Sequence, residues 1–93
     1  MLNIDEVLEP AKKIAFRRIG SQVVLVNAED NQLITLNQIG SLAFEALNGR
    51  SIKSVIEIVE RDFDVTKEQA TEDMLTFFQS LLDRNLLVRA NGN

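Results

Sequence analysis

The spacing of apolar positions along the chain changes once, near residue 37. Before it they come in short β-branched runs: IAFRRI at 14–19, QVVLVN at 22–27 and QLITL at 32–36. Gly20-Ser21, between the first two runs, suits a two-residue hairpin with glycine at its first central position. NAEDN at 27–31 is dense in Asn and Asp, which tolerate left-handed backbone and bond their own main chain. The three runs predict an antiparallel meander. Past residue 38 the spacing becomes helical. Ile39, Leu42, Ala43, Ala46 and Leu47 share one face of a first helix, with Asn37 as cap and Gly49 as stop. Ser51 caps a second, whose apolar face is Ile52, Val55, Ile56, Val59 and Phe63. Thr66 opens a third; TKEQ at 66–69 reads as a capping box and Asn85 as the stop. LLV at 86–88 closes the pattern as a short extended segment. The predicted fold is α+β, a three-stranded antiparallel sheet followed by a three-helix bundle, over residues 14–89. Residues 1–13, around the only proline, Pro10, read as a loose N-terminal arm, and 90–93 as a tail.

Three surfaces of this plan lack an obvious partner. The first and third strands of a meander are edges. The first carries Arg17 and Arg18, charges that discourage pairing, whereas 32–36 has no charge and no proline. A helix or the tail could cover that third strand, or it could stay open. On the third helix, Ala70, Met74, Phe77 and Leu81 form one stripe, and Leu75, Phe78 and Leu82 form a second. The two are about 90–100° apart, together wider than one core requires. Lys67 and Thr71 extend the second stripe with a polar, positive end. Both faces of the middle strand are apolar: Val23 and Leu25 point one way, Val24 and Val26 the other. One face packs on helices and the other needs cover; residues 1–12 are its expected source, with a second copy of the protein or a partner as alternatives. An open strand edge beside an apolar helix face is the arrangement by which a peptide is captured as an added strand.

Composition removes several alternatives. The chain has 93 residues, enough for one small domain. Without cysteine or histidine, disulfides, thiol chemistry and the commonest zinc ligands are excluded. No apolar run reaches the roughly 20 residues of a membrane span. The N-terminus does not read as a signal peptide, so a cytoplasmic location is expected. Asp30, Glu45, Glu57 and Glu60 have no nucleophile or metal-binding partner at a useful spacing, so neither catalysis, a cofactor nor a metal is expected. The net charge of −4 is unlike a nucleic-acid binder.

In the stretch TLNQIGSLAFEALNGRSIKSVIEIVERDFDVTKEQATEDMLTFFQSLLDRNLLV, the matching features run in order. They are Leu36-Asn37, Ala43-Phe44, Leu47, Gly49, FDV at 63–65, Asp73 and the ending LLDRNLLV. With the preceding strands, residues 14–88 resemble the PqqD-like family, the peptide chaperones also called RiPP precursor peptide recognition elements. The resemblance implies a winged-helix-like fold and a non-catalytic role. A precursor's leader segment would add to the third strand, and the chaperone would present it to a modifying enzyme such as a radical SAM protein, a cyclase or a leader peptidase. Residue by residue it places the leader on Leu33, Ile34, Thr35 and Leu36, and on Lys67, Thr71, Met74, Leu75, Phe78 and Leu82. Leu33 and Ile34 stand where many members have an aromatic residue, and Asn85 where many have glycine.

Two other readings use the same elements. A winged helix could bind DNA through its third helix. From Thr66 to Arg84, however, that helix holds two basic residues (Lys67, Arg84) against four acids (Glu68, Glu72, Asp73, Asp83), a balance that phosphate repels. Alternatively the third strand could pair with its own copy in a homodimer.

Overall fold

Gly20 takes φ +62° and sets Ile19 opposite Gln22, so the first hairpin has the two-residue turn its sequence predicts. The computed structural model describes residues 2–90. Its elements are β1 (Leu8–Pro10), β2 (Ile14–Ile19), β3 (Gln22–Asn27), β4 (Gln32–Thr35), α1 (Gln38–Ala46), α2 (Ile52–Phe63), α3 (Lys67–Asp83) and β5 (Leu87–Arg89). β2, β3 and β4 form an antiparallel sheet in that order, and three helices follow. The turn into β4 is held by its own side chains. Asn27 Oδ1 accepts from the Glu29 N–H at 3.0 Å and Asp30 Oδ1 from the Gln32 N–H at 3.0 Å, while Asn31 takes φ +56°.

The helix caps fall where the sequence places them. Asn37 accepts from the Gly40 N–H, Ser51 from the Ser54 N–H and Thr66 from the Gln69 N–H. Such caps satisfy donors that the first helical turn would otherwise leave bare. The capping box is only half made, because the Gln69 amide turns forward to Asp73 Oδ1 at 2.9 Å. Asp64 and Asn85 take the left-handed conformation after α2 and α3, at φ +52° and +61°.

The core lies between the inner face of the sheet and the helices. Val23 and Leu25 of β3 meet Phe44 and Leu47 of the α1 end, Ile52, Val55, Ile56 and Val59 of α2, and Ala70, Met74, Phe78 and Leu81 of α3. The α2 face is as predicted. The α1 face is rotated: Phe44 is buried, whereas Ile39 and Leu42 are only half-buried. Phe44 reaches the sheet, where its ring meets Phe16 edge-on at 5.0 Å between centroids, a favourable aromatic geometry. On α3 the buried face combines the two predicted stripes: Ala70, Met74 and Leu81 of the first with Phe78 of the second. Phe78 is fully buried and Phe77 half-buried.

Ser41 joins sheet to helix. Its buried hydroxyl accepts from the Val23 N–H at 2.7 Å and donates to the Leu36 carbonyl at 3.2 Å. It thus fills the rung where β4 leaves the ladder for α1. An unmade bond at a buried backbone group costs about 1–3 kcal/mol, so Ser41→Ala should lower stability by roughly 2 kcal/mol on that scale. Urea unfolding followed by circular dichroism measures it; an unchanged midpoint would show that the rung is dispensable.

The N-terminal stretch is not a loose arm. β1 pairs antiparallel with β5, Leu8 opposite Arg89, and the Leu8 side chain is buried. The carbonyls of Ile4 and Glu6 accept from Lys53 and Ile52 at 2.8 and 2.9 Å, meeting bare donors at the α2 N-terminus. Of the expected tail, Ala90 donates to the Val7 carbonyl at 2.9 Å; residues 91–93 lie outside the described residues. Glu6 and Arg89 pair across this clasp. The Arg89 guanidinium, and then the Asn3 N–H, hold the Glu6 carboxyl below its ordinary pKa. A lowered carboxyl pKa stabilises the fold above the unfolded value and stops doing so as pH falls through the folded one. Glu6→Gln should therefore cost under about 1 kcal/mol at neutral pH and nothing below that window. Urea midpoints followed from pH 7 downward check this, and a loss that stays the same as the pH falls would remove the ion pair as its cause.

Candidate functional site

The β4 edge has no strand partner among the described residues. Its register decides which groups are free. The Leu36 N–H donates to the Val23 carbonyl at 2.9 Å, and Ile34 lies opposite Leu25. Antiparallel pairs alternate between bonded and unbonded residues, so Ile34 shares the orientation of Leu36 and points its main chain toward β3. The N–H and C=O of Leu33 and Thr35 point away from the sheet, toward the open edge. Side chains alternate in the other sense. Ile34 is half-buried on the inner face beside Leu25, while Leu33, 68% exposed, and Thr35 lie on the outer face beside Val26 and Val24.

α3 supplies the wall next to this edge. The Phe77 ring sits against Gly40, near the junction of β4 and α1. A methyl group on Gly40 would come within 2.9 Å of the ring, so a larger residue there would have to push the ring aside. At the far end of α3, Arg84 shares a cleft of about 490 Å³ with Asn27, Glu29 and Asp30, at the turn that enters β4. The helix therefore runs opposite in direction to β4, and the flank between these points carries Phe77 at one end and Arg84 at the other. Arg84 has no carboxylate partner among the described residues.

The sequence-predicted residues divide among three places. Leu33, Ile34 and Thr35 are at the edge, but Leu36 is buried under it. Met74 and Phe78 are core residues, 3% and 0% exposed. Thr71, Leu75 and Leu82 lie half-buried on the opposite flank of α3. There Leu75 shares a cleft with Leu2, and Leu82 shares one with Leu87 and Val88. Lys67 is exposed in the first turn of that helix. Outside the predicted set, Phe77 and Arg84 are the α3 side chains that lie toward the two ends of β4. Gly40 was the available signal, because a bare Cα on α1 marks where a large side chain approaches.

Among the described residues no group of three or more His, Cys, Asp or Glu side chains is placed to hold a metal ion, and no helix is long and apolar enough to cross a membrane.

The sheet, the three helices and the open edge define a small α+β module. The profile of coenzyme PQQ synthesis protein D (PqqD) matches residues 22–87. The chain belongs to the PqqD family. Two solved structures share the fold. One is described as TbiB1 in complex with the TbiA(beta) leader peptide, at TM-score 0.80 and 19% identity, covering 85% of this chain and 93% of that one. The other is lasso peptide synthetase B1 complexed with the leader peptide, at TM-score 0.81 and 18% identity, covering 88% and 98%. A comparison with curated proteins gives no match.

Proposed function

We propose that this protein is a non-catalytic adaptor that binds the leader segment of a ribosomally made precursor peptide and presents it to a modifying enzyme. The leader adds to β4 as a strand and bonds the outward main chain of Leu33 and Thr35. Its inward side chains enter the trough between Ile34 and Phe77, and Arg84 favours an acidic leader residue near the start of β4. The observation that carries this reading is an unpaired, uncharged β4 edge with the half-buried Phe77 ring of α3 at its end. It is supported by membership of the PqqD family and by two neighbours of the same fold solved with leader peptides. The enzyme that receives the leader is of the class of a radical SAM protein, a cyclase or a leader peptidase, and the adaptor works in the cytoplasm.

The test is an amide NMR titration with the leader of a precursor encoded beside this gene. Shifts at residues 32–36 and along Phe77 to Arg84 are expected. Shifts confined to Thr71, Leu75 and Leu82 would move the groove to the other flank, and silence at β4 would overturn strand addition. The same open edge also allows self-pairing, in which case added leader would convert a dimer to a monomer, visible as a drop in mass.

A further inference from the structure

The outer face of the β2–β3–β4 sheet has no cover among the described residues. Ala15, Arg17, Ile19, Val24, Val26 and Leu33 share it in register. Val26 lies opposite both Ala15 and Leu33, and Val24 opposite Arg17. Ile19 is 59% exposed and Leu33 68%. The N-terminal arm, which the sequence assigns to this face, is engaged with α2 and β5 instead.

The charges on β2 are divided by face. Arg18 points inward and pairs with Glu45 of α1, which raises its pKa further. Arg17, the next residue, points outward among the valines and has no carboxylate partner among the described residues. A lone cation in an apolar patch selects for a surface that is apolar and bears an acid. A second copy docked by the same face does not provide this, because the residues in register there, Ala15, Arg17, Ile19, Val24, Val26 and Leu33, include no acid. An anionic membrane needs a cluster of cations, whereas this chain has net charge −4.

We infer that the outer sheet face is where the modifying enzyme docks, through an apolar patch with a carboxylate opposite Arg17, and that a bound leader enlarges this surface. The inference rests on the strand-addition reading above. An added strand alternates its side chains between the two faces. Leader residues that point away from the trough therefore extend the row formed by Leu33, Val26 and Ala15. Three strands about 4.8 Å apart and about 20 Å long present roughly 300 Å², well below the roughly 800 Å² per partner of a stable complex. A fourth strand widens the face by about a third on the same spacing. Enzyme and leader therefore strengthen each other's binding, since such coupling is reciprocal.

The experiment measures binding of the leader, and of the modifying enzyme from the same gene neighbourhood, to wild type, Arg17→Glu and Ile19→Glu. Both positions are exposed and two strands away from the β4 edge. Leader affinity should stay within about twofold, while enzyme affinity of the loaded adaptor falls about tenfold or more, the scale of a central interface residue. Leader should also raise the enzyme affinity of wild type. Wild-type enzyme binding by both variants overturns the docking face, and a leader without effect on enzyme binding overturns the enlargement of the surface. A leader that leaves β4 unshifted by NMR overturns strand addition itself; the comparison of variants without leader still decides the docking face. If either variant is unfolded by amide dispersion, Ala15→Glu on the same face replaces it with the same expected loss.

Discussion

Thr35→Pro is expected to weaken leader binding roughly ten- to a hundredfold while leaving the domain folded. The Thr35 N–H points away from β3 and bonds nothing in the sheet, so its removal costs the fold little, and edge strands tolerate proline. A bound leader would lose its donor there and keep a carbonyl facing a pyrrolidine ring. An unmet carbonyl costs about 1–3 kcal/mol, which sets the size of the loss. Ile34→Pro is the contrasting control. Its N–H lies inside the ladder opposite Leu25, so proline there should lower stability first. Anisotropy with a labelled leader, run beside urea unfolding, separates the two. Undiminished binding by folded Thr35→Pro would mean that the leader does not use this edge.

The adjacent phenylalanines of α3 should respond in opposite ways. Phe78 is 0% exposed, between the sheet and α2. Truncating a buried phenylalanine to alanine costs about 3–5 kcal/mol, against about 5–14 kcal/mol for a domain of this size. Phe78→Ala should therefore be largely unfolded at 37 °C or close to it, with binding lost through the fold. Phe77 is half-buried against Gly40 at the edge of the trough. Phe77→Ala should cost about half as much stability by the same scale and reduce leader affinity about tenfold, near the energy of a partly buried aromatic contact. Urea midpoints paired with binding constants check both. If Phe77→Ala lost stability alone, the trough would not lie on that flank.

What could be read from the chain was what its local chemistry determines. Asn37, Ser51 and Thr66 cap their helices because a short polar side chain reaches back to a bare N–H, and that requires only three neighbouring residues. Gly20 sets the hairpin for an equally local reason. β1 was illegible because three residues, one of them proline, carry no period, and their partner β5 lies at the other end of the chain. The phase of α3 was ambiguous because Phe77 and Phe78 are 100° apart and either could complete an apolar stripe. Packing against the sheet chose Phe78. At the site, the open edge was visible as an absence of charge from Gln32 to Leu36. The α3 flank beside it was not, since it depends on Gly40 and Asp30 lying at opposite ends of one helix face.

Because β1 and β5 lie side by side, Leu8 and Arg89, near the two ends of the described chain, sit opposite each other in one two-stranded ladder. A polypeptide that returns to its starting point can be spliced into a loop of another protein without prising that loop apart. The module is thus built as a cassette. Joined covalently to an enzyme at either end, or set within it, it would keep its sheet and its β4 edge intact, and capture of a leader would become an intramolecular event governed by linker length rather than by concentration.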